Sequence, residues 1–167
     1  MKYTYKLLVI IVLAFLFLFL YDRYRVVPEI FFNQINLYSW EGKQVFLKPN
    51  GKFQLVVFWQ TWCGDCHEGM PKVSAALFSK PNIEGIAITN EPFEKQLSHQ
   101  AKLGNWNFLR VDSERDRTIL ALQDLGVYSF PTYFLLNPSG EKIWSCIGNV
   151  DTDEVNRLIQ TKEVSVP

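Results

Sequence analysis

Two cysteines, Cys63 and Cys66, stand in the segment Trp62-Cys63-Gly64-Asp65-Cys66. Thiols at this spacing close a small disulfide ring and reopen it with little movement of the backbone. The run Leu55-Val56-Val57-Phe58-Trp59 before them is β-branched and aromatic, the pattern of a strand buried on both faces. After Cys63, Met70, Val73, Ala76 and Leu77 recur at helical spacing up to about Lys80. The pair therefore opens a helix, where unpaired N–H groups and the positive end of the macrodipole stabilise a thiolate. Such placement lowers a cysteine pKa from about 8.5 into a range of about 3.5 to 7.5. Cys63, at the mouth, is the expected nucleophile, and Cys66, one turn inside, the expected resolving thiol. Half a zinc site and a purely structural disulfide are the alternatives. Zinc wants four ligands, and no second cysteine pair or His-x-x-x-His completes the set, so neither metal nor cofactor is expected.

The elements that must hold this junction follow from the rest of the pattern. Val45-Phe46-Leu47, bounded by Gly42 and Pro49-Asn50-Gly51, reads as a strand and turn, and Ile83 to Thr89 as another strand. Glu91 to Leu103 is helical in pattern, with Pro92 suited to its first turn. Phe108 to Val111 is strand-like, and Asp116 to Leu125 reads as a helix stopped by Gly126. Tyr133 to Leu136 and Lys142 to Ile147 flank the turn Asn137-Pro138-Ser139-Gly140 as a hairpin. Asp151 to Gln160 closes the chain as a helix capped by Asp151 or Thr152. Alternating strands and helices ending in a hairpin and helix predict an α/β fold, a central mixed sheet flanked by helices.

At 167 residues the chain has room for one ordinary domain. Its 17 basic and 17 acidic side chains balance, so no excess charge points to nucleic acid. Leu7 to Leu20 carries no polar side chain, and Tyr3, Tyr5, Tyr21 and Tyr24 flank it. Counted from Tyr3 to Tyr21, the stretch approaches the ~20 residues of a membrane-crossing helix. A cleaved signal peptide competes, but Tyr21-Asp22-Arg23-Tyr24-Arg25 lacks the small residues of a cleavage site; a buried core helix is the third possibility. The expected organisation is a membrane anchor over residues 1–25, with residues 7–21 in the bilayer, a tether over 26–36 and one domain over 37–167. Lys2 and Lys6 before the span balance Arg23 and Arg25 after it, so charge leaves the orientation undecided.

Phe58-Trp59-Gln60-Thr61-Trp62-Cys63-Gly64-Asp65-Cys66, with Pro71 beyond, resembles the active-site segment of thioredoxin-fold proteins. Gly126-Val127 leading to Phe130-Pro131-Thr132 is similar to that fold's second hallmark, the cis-proline loop facing the cysteine pair. Together with the N-terminal anchor, the strand pair before the active site and the extra segment from Ile83 to Leu103, the chain resembles the membrane-anchored TlpA/ResA type, which includes the cytochrome c maturation thioredoxins. The likeness covers roughly Ile35 to Lys162. It implies a thiol–disulfide oxidoreductase that reduces disulfides of extracytoplasmic proteins. It implies also a single-pass protein of the bacterial inner membrane, its domain periplasmic or extracytoplasmic, and a membrane electron donor of the cytochrome-biogenesis type. A net disulfide oxidant and a copper(I) metallochaperone using the same two thiols are the competing functions. Contact with substrate is expected from Trp62, Gly64, Asp65, Phe130, Pro131 and Thr132, and a cis bond at Pro131 is implied by the resemblance alone.

Two positions depart from the family. Val57 stands where thioredoxins bury an Asp, and Gly69 where ResA-like members carry a Glu. Glu68, one position earlier, points roughly 100° away around the helix. Asp65 and His67 are expected to be solvated residues of the first turn, with a share in the chemistry as the alternative. His99 is expected in solvent and Cys146 as a small buried residue rather than a third redox thiol. Phe58, Trp59, Tyr133 and Phe134 are expected in the core. Asp65 places a negative charge near Cys63, opposing its thiolate and pointing to a reductant nearer about −270 mV than about −120 mV.

Overall fold

A computed structural model describes residues 36–111 and 126–164. In chain order these form β1 (Leu37–Tyr38), β2 (Gln44–Val45), β3 (Phe53–Phe58), α1 (Gly64–Leu77), β4 (Ile83–Thr89), α2 (Phe93–Leu103), β5 (Trp106–Val111), β6 (Thr132–Leu136), β7 (Lys142–Ile147) and α3 (Thr152–Val164). The expected anchor, the tether up to residue 35 and the helix read over Asp116–Leu125 lie outside the described residues. Among the described residues no helix is long and apolar enough to cross a membrane.

The strands make one mixed sheet in the order β2-β1-β5-β4-β3-β6-β7. β3, β4 and β5 run parallel, with Val56 opposite Ile86 and Ala87 opposite Phe108. The crossovers through α1 and α2 step the same way across the sheet, so right-handed connections lay both helices on one face. β6 turns back antiparallel against β3, placing Tyr133 beside Val57, and β7 pairs antiparallel with β6. This is the thioredoxin fold, with β1 and β2 added at the far edge.

All six residues of β3 are buried, as its apolar run requires. Phe53, Leu55, Val57 and Trp59 face Cys66, Met70, Val73 and Leu77 of α1, with Val155 and Ile159 of α3 completing this cluster. Val56 and Phe58 look the other way, into a second cluster with Ile86, Ile88, Leu109, Phe134 and Val127. The four aromatics expected in the core, Phe58, Trp59, Tyr133 and Phe134, are all buried. At the hairpin, the Asn137 side-chain oxygen accepts from the Ser139 and Glu141 amides, which fixes the turn. Asp151 caps α3, its carboxylate accepting from the Asp153 and Glu154 amides at 2.9 and 3.1 Å.

Several details differ from the sequence pattern, each for a local reason. Ala76 is exposed and Ser74 takes the buried place on α1, because the Ser74 hydroxyl accepts the Asn105 amide at 2.8 Å. α2 starts at Phe93 rather than Glu91, with Pro92 as its N-cap; the Glu91 carboxylate is engaged elsewhere. The strand read over Val45–Leu47 is Gln44–Val45, and Leu47 packs on the second cluster outside the ladder. β1, whose position no apolar run in the sequence marks, pairs Leu37 with Val45 of β2 and with Val111 of β5.

Gly104 ends α2 at φ +97°, and a Cβ there would collide with the Ser74 side chain. The junction of α2 with α1 therefore requires glycine on both conformational and steric grounds. Gly104→Ala should lower stability by about 2 kcal/mol or more, read as a reduced urea midpoint at unchanged slope. An unchanged midpoint would show that α2 can end another way.

Candidate active site

The buried strand ends at Phe58, and the chain leaves the carboxyl edge of the sheet through Trp59 to Trp62 before α1 begins. This is where open α/β sheets expose functional loops. Cys63 is the N-cap of α1, with extended backbone at φ −82° and ψ 105°. Its sulfur accepts the Cys66 amide at 3.1 Å. That bond uses one of the otherwise unpaired donors of the first turn, the feature that stabilises a thiolate on Cys63 once the pair is reduced. In the structure Cys63 and Cys66 are joined as a disulfide with Cα atoms 5.2 Å apart. Cys63 is 5% exposed and Cys66 wholly buried, so an incoming sulfur reaches Cys63 first.

The loop before the cysteines is clamped from the neighbouring strand. The Glu91 carboxylate accepts both from the Thr61 amide, at 2.5 Å, and from the Thr61 hydroxyl, at 2.8 Å. Gln60 donates to Asn90 at 2.6 Å and accepts from the Thr89 hydroxyl at 3.1 Å. His67 reaches back to the Thr61 carbonyl at 2.7 Å. A carbonyl only accepts, so His67 Nε2 carries the proton of this bond. The His67 ring lies 4.8 Å from that of His99, tilted by 36°. His99 is thus half-buried against the site, not solvated, because α2 packs alongside α1.

The second loop meets the first through aromatic edges. Trp62, 72% exposed, sets its ring 5.8 Å from Phe130 at 85°. The Phe130–Pro131 peptide bond is cis. Pro131 is buried, its carbonyl accepting the Gly148 amide at 2.9 Å, and the Thr132 hydroxyl donates to the Ser129 carbonyl at 2.6 Å. Pro131 and Thr132 therefore shape the loop from within, while Trp62, Gly64 and Asp65 are exposed and Phe130 is half-buried. Tyr128 and Ile147 are also exposed, and Ile147 is the ladder partner of Thr132. No periodicity in the sequence singles these two out.

Cys146 departs from expectation. It is half-buried rather than buried, its thiol lying 3.5 Å from the Ile147 carbonyl and 3.2 Å from that of Asn149. Burial, with the Glu154 carboxylate behind it, pushes this thiol above its ordinary range. It is therefore a poor thiolate. Among the described residues no group of three metal-ligating side chains converges.

Glu91 is the side chain at this site that sequence reasoning missed. Removing its carboxylate in Glu91→Ala leaves the half-buried Thr61 amide without an acceptor, a loss of about 1–3 kcal/mol. The expected result is lower stability with hydrogen exchange accelerated at Thr61. Unchanged exchange there would mean that the clamp does not order the loop.

Comparison with known proteins agrees with this geometry. A thioredoxin-like domain model matches residues 41–163. ResA, a thiol–disulfide oxidoreductase of Bacillus cereus, is 26% identical over 123 residues, covering 72% of this chain and 69% of that one. The ResA of Bacillus subtilis (strain 168) is 28% identical over 137 residues, covering 79% and 70%. The thioredoxin-related protein of Neisseria meningitidis serogroup B superposes with a TM-score of 0.62 at 18% identity, over 77% of this chain and 99% of that one, a likeness of fold. With the cysteine pair at the helix mouth and the cis-proline loop beside it, the chain belongs to the thioredoxin-like family, as a thiol–disulfide oxidoreductase of the TlpA/ResA type.

Proposed function

We propose that the chain reduces disulfides of extracytoplasmic proteins while held to a bacterial inner membrane by residues 7–21. The Cys63 thiolate attacks one sulfur of a substrate disulfide, forming a mixed disulfide and expelling the other sulfur as a thiolate. Cys66 then attacks Cys63, closes the Cys63–Cys66 bond and releases the second substrate thiol, so two electrons pass from the pair to the substrate. Trp62, Gly64, Asp65 and Phe130 form the contact surface, which Pro131 and Thr132 hold in shape. The oxidised pair is re-reduced by a membrane electron donor of the cytochrome-biogenesis type, and cytochrome c maturation is the process this would serve. Support for the membrane setting comes from the uncharged run Leu7 to Leu20 and from the anchored family that the chain resembles.

The observation that carries the direction of electron flow is the charge at the helix mouth. Asp65 is exposed in the first turn of α1, the one acidic side chain there. Its negative charge offsets the favourable end of the macrodipole, so the Cys63 thiolate is less stabilised than beside a basic residue. A less stabilised reduced form means a lower potential. Equilibration with glutathione should give a value nearer about −270 mV than about −120 mV, and Asp65→Asn should raise it. A value for the unaltered protein above about −180 mV would overturn the assignment as a reductant.

The setting is tested in the intact membrane. Cys66→Ser leaves the mixed disulfide unresolved, so substrate proteins should remain linked to Cys63, with the chain's mass retaining residues 1–25. A mature N-terminus between Tyr21 and Pro28 would show a cleaved leader instead, and stoichiometric copper(I) binding without trapped protein would favour the metallochaperone.

A further inference from the structure

Tyr133 is the second residue after the cis-proline, on β6, and its side chain is completely buried. Its hydroxyl has no hydrogen-bond partner among the described residues. The ring does ordinary packing work, tilted at 6.5 Å from Trp106 inside the cluster that holds Cys66, Met70 and Trp59. Phenylalanine would fill that space equally well without burying an unpaired donor. The hydroxyl is aimed at α1: a Cβ built on Gly69 would sit 3.6 Å from it. Gly69 lies three positions after Cys66, so the two share one face of the helix, one turn apart. Val57, the ladder partner of Tyr133 on β3, offers no polar group, and neither does Gly69. The hydroxyl thus lies beside the turn that follows the resolving cysteine, in the same apolar cluster as Cys66, and neither Val57 nor Gly69 offers it a partner.

Two groups that titrate once the pair is reduced lie near this phenol. Cys66 lies on α1 in the same buried cluster, and Cys146 is the ladder partner of Tyr133 on β7, with Glu154 of α3 acting on Cys146 in turn. Burial, and to a lesser degree Cys146, pushes the phenol above its ordinary range, so it stays protonated and able to donate throughout the neutral region. A disulfide sulfur is a weak acceptor, whereas a thiolate is a charged and much stronger one.

We propose that Tyr133 is a positioning residue for resolution, its hydroxyl donating to the Cys66 thiolate as that anion forms. The step rests on the reading of Cys63 and Cys66 as a redox pair. Cys66 loses its proton, which passes to the substrate thiolate already expelled in the first exchange. The Cys66 sulfur then bonds to the Cys63 sulfur, the Cys63–substrate bond breaks, and the leaving sulfur takes its electron pair. Tyr133 keeps its own proton throughout and supplies a hydrogen bond to the buried anion. Removing the donor should raise the pKa of Cys66, leave less thiolate at neutral pH and slow the second exchange alone.

The experiment uses the reduced full chain in detergent, with Cys146→Ala as the common background so that the redox pair supplies the only thiols, mixed rapidly with dithiobis-nitrobenzoate. The first thionitrobenzoate released reports Cys63 and the second reports Cys66. In Tyr133→Phe the first release should change less than about twofold, while the second slows about tenfold at neutral pH and its pH profile moves up by about one unit. As an equilibrium check, the ultraviolet thiolate absorbance of Cys66 in Cys63→Ser should titrate about one unit higher once Tyr133→Phe is added. An unchanged second release and titration, or equal slowing of both releases, overturns the role of Tyr133 while leaving the redox pair intact. Absence of any first release in that background with Tyr133 retained overturns the redox reading and this proposal with it.

Discussion

The site depends on one junction, where a strand buried on both faces hands over to a helix whose first turn has donors to spare. β3 is fixed between β4 and β6 by its ladders and by the two apolar clusters on either side. Its end therefore cannot wander, and neither can the first turn of α1. The Cys66 amide needs an acceptor and finds the Cys63 sulfur, so the same constraint that satisfies the helix end also orients the reactive atom. Pro71 further along α1 has no amide to give to the His67 carbonyl, a missing rung that falls beyond the first turn and leaves the helix start undisturbed.

Around that junction, polar contacts set the loop and apolar ones set the surface. Glu91, at the end of β4, reaches the loop because β3 and β4 are parallel neighbours and end at the same edge. His67 secures the loop from the helix side. Trp62 and Phe130 then bridge to the cis-proline loop, which arrives from the opposite neighbour of β3. Three strands adjacent in space thus bring together segments far apart in the chain.

Much of this was legible in the residues, and the reason differs by element. The cysteine spacing, the apolar run before it and the Asn-Pro-Ser-Gly turn are local signals, and each produced the expected element. The cis bond at Pro131 was readable only by resemblance, since an isolated X-Pro gives no such indication. What could not be read were contacts between distant positions. Thr61 with Glu91, Ser74 with Asn105, and His67 with His99 each join ordinary polar residues about thirty positions apart. Helical periodicity ranked Ala76 above Ser74 for burial because it weighs hydrophobicity and takes no account of a distant amide in need of an acceptor. Cys146 was misplaced for a related reason: β7 is an edge strand, and alternation along it buries its side chains only in part.

The two margins of the sheet have a consequence for a protein that exchanges disulfides with other proteins. A long, flat outer strand offers unpaired backbone to any such chain and invites it to add on indiscriminately. At one margin β1 and β2 are two residues each, too short to serve as a template. At the other, β7 carries Lys142 at its start, and the β6–β7 register is interrupted between Leu135 and Leu136. Both borders thus carry features that discourage pairing with another strand. The edges of the sheet therefore limit strand addition by whatever protein comes to the cysteine pair.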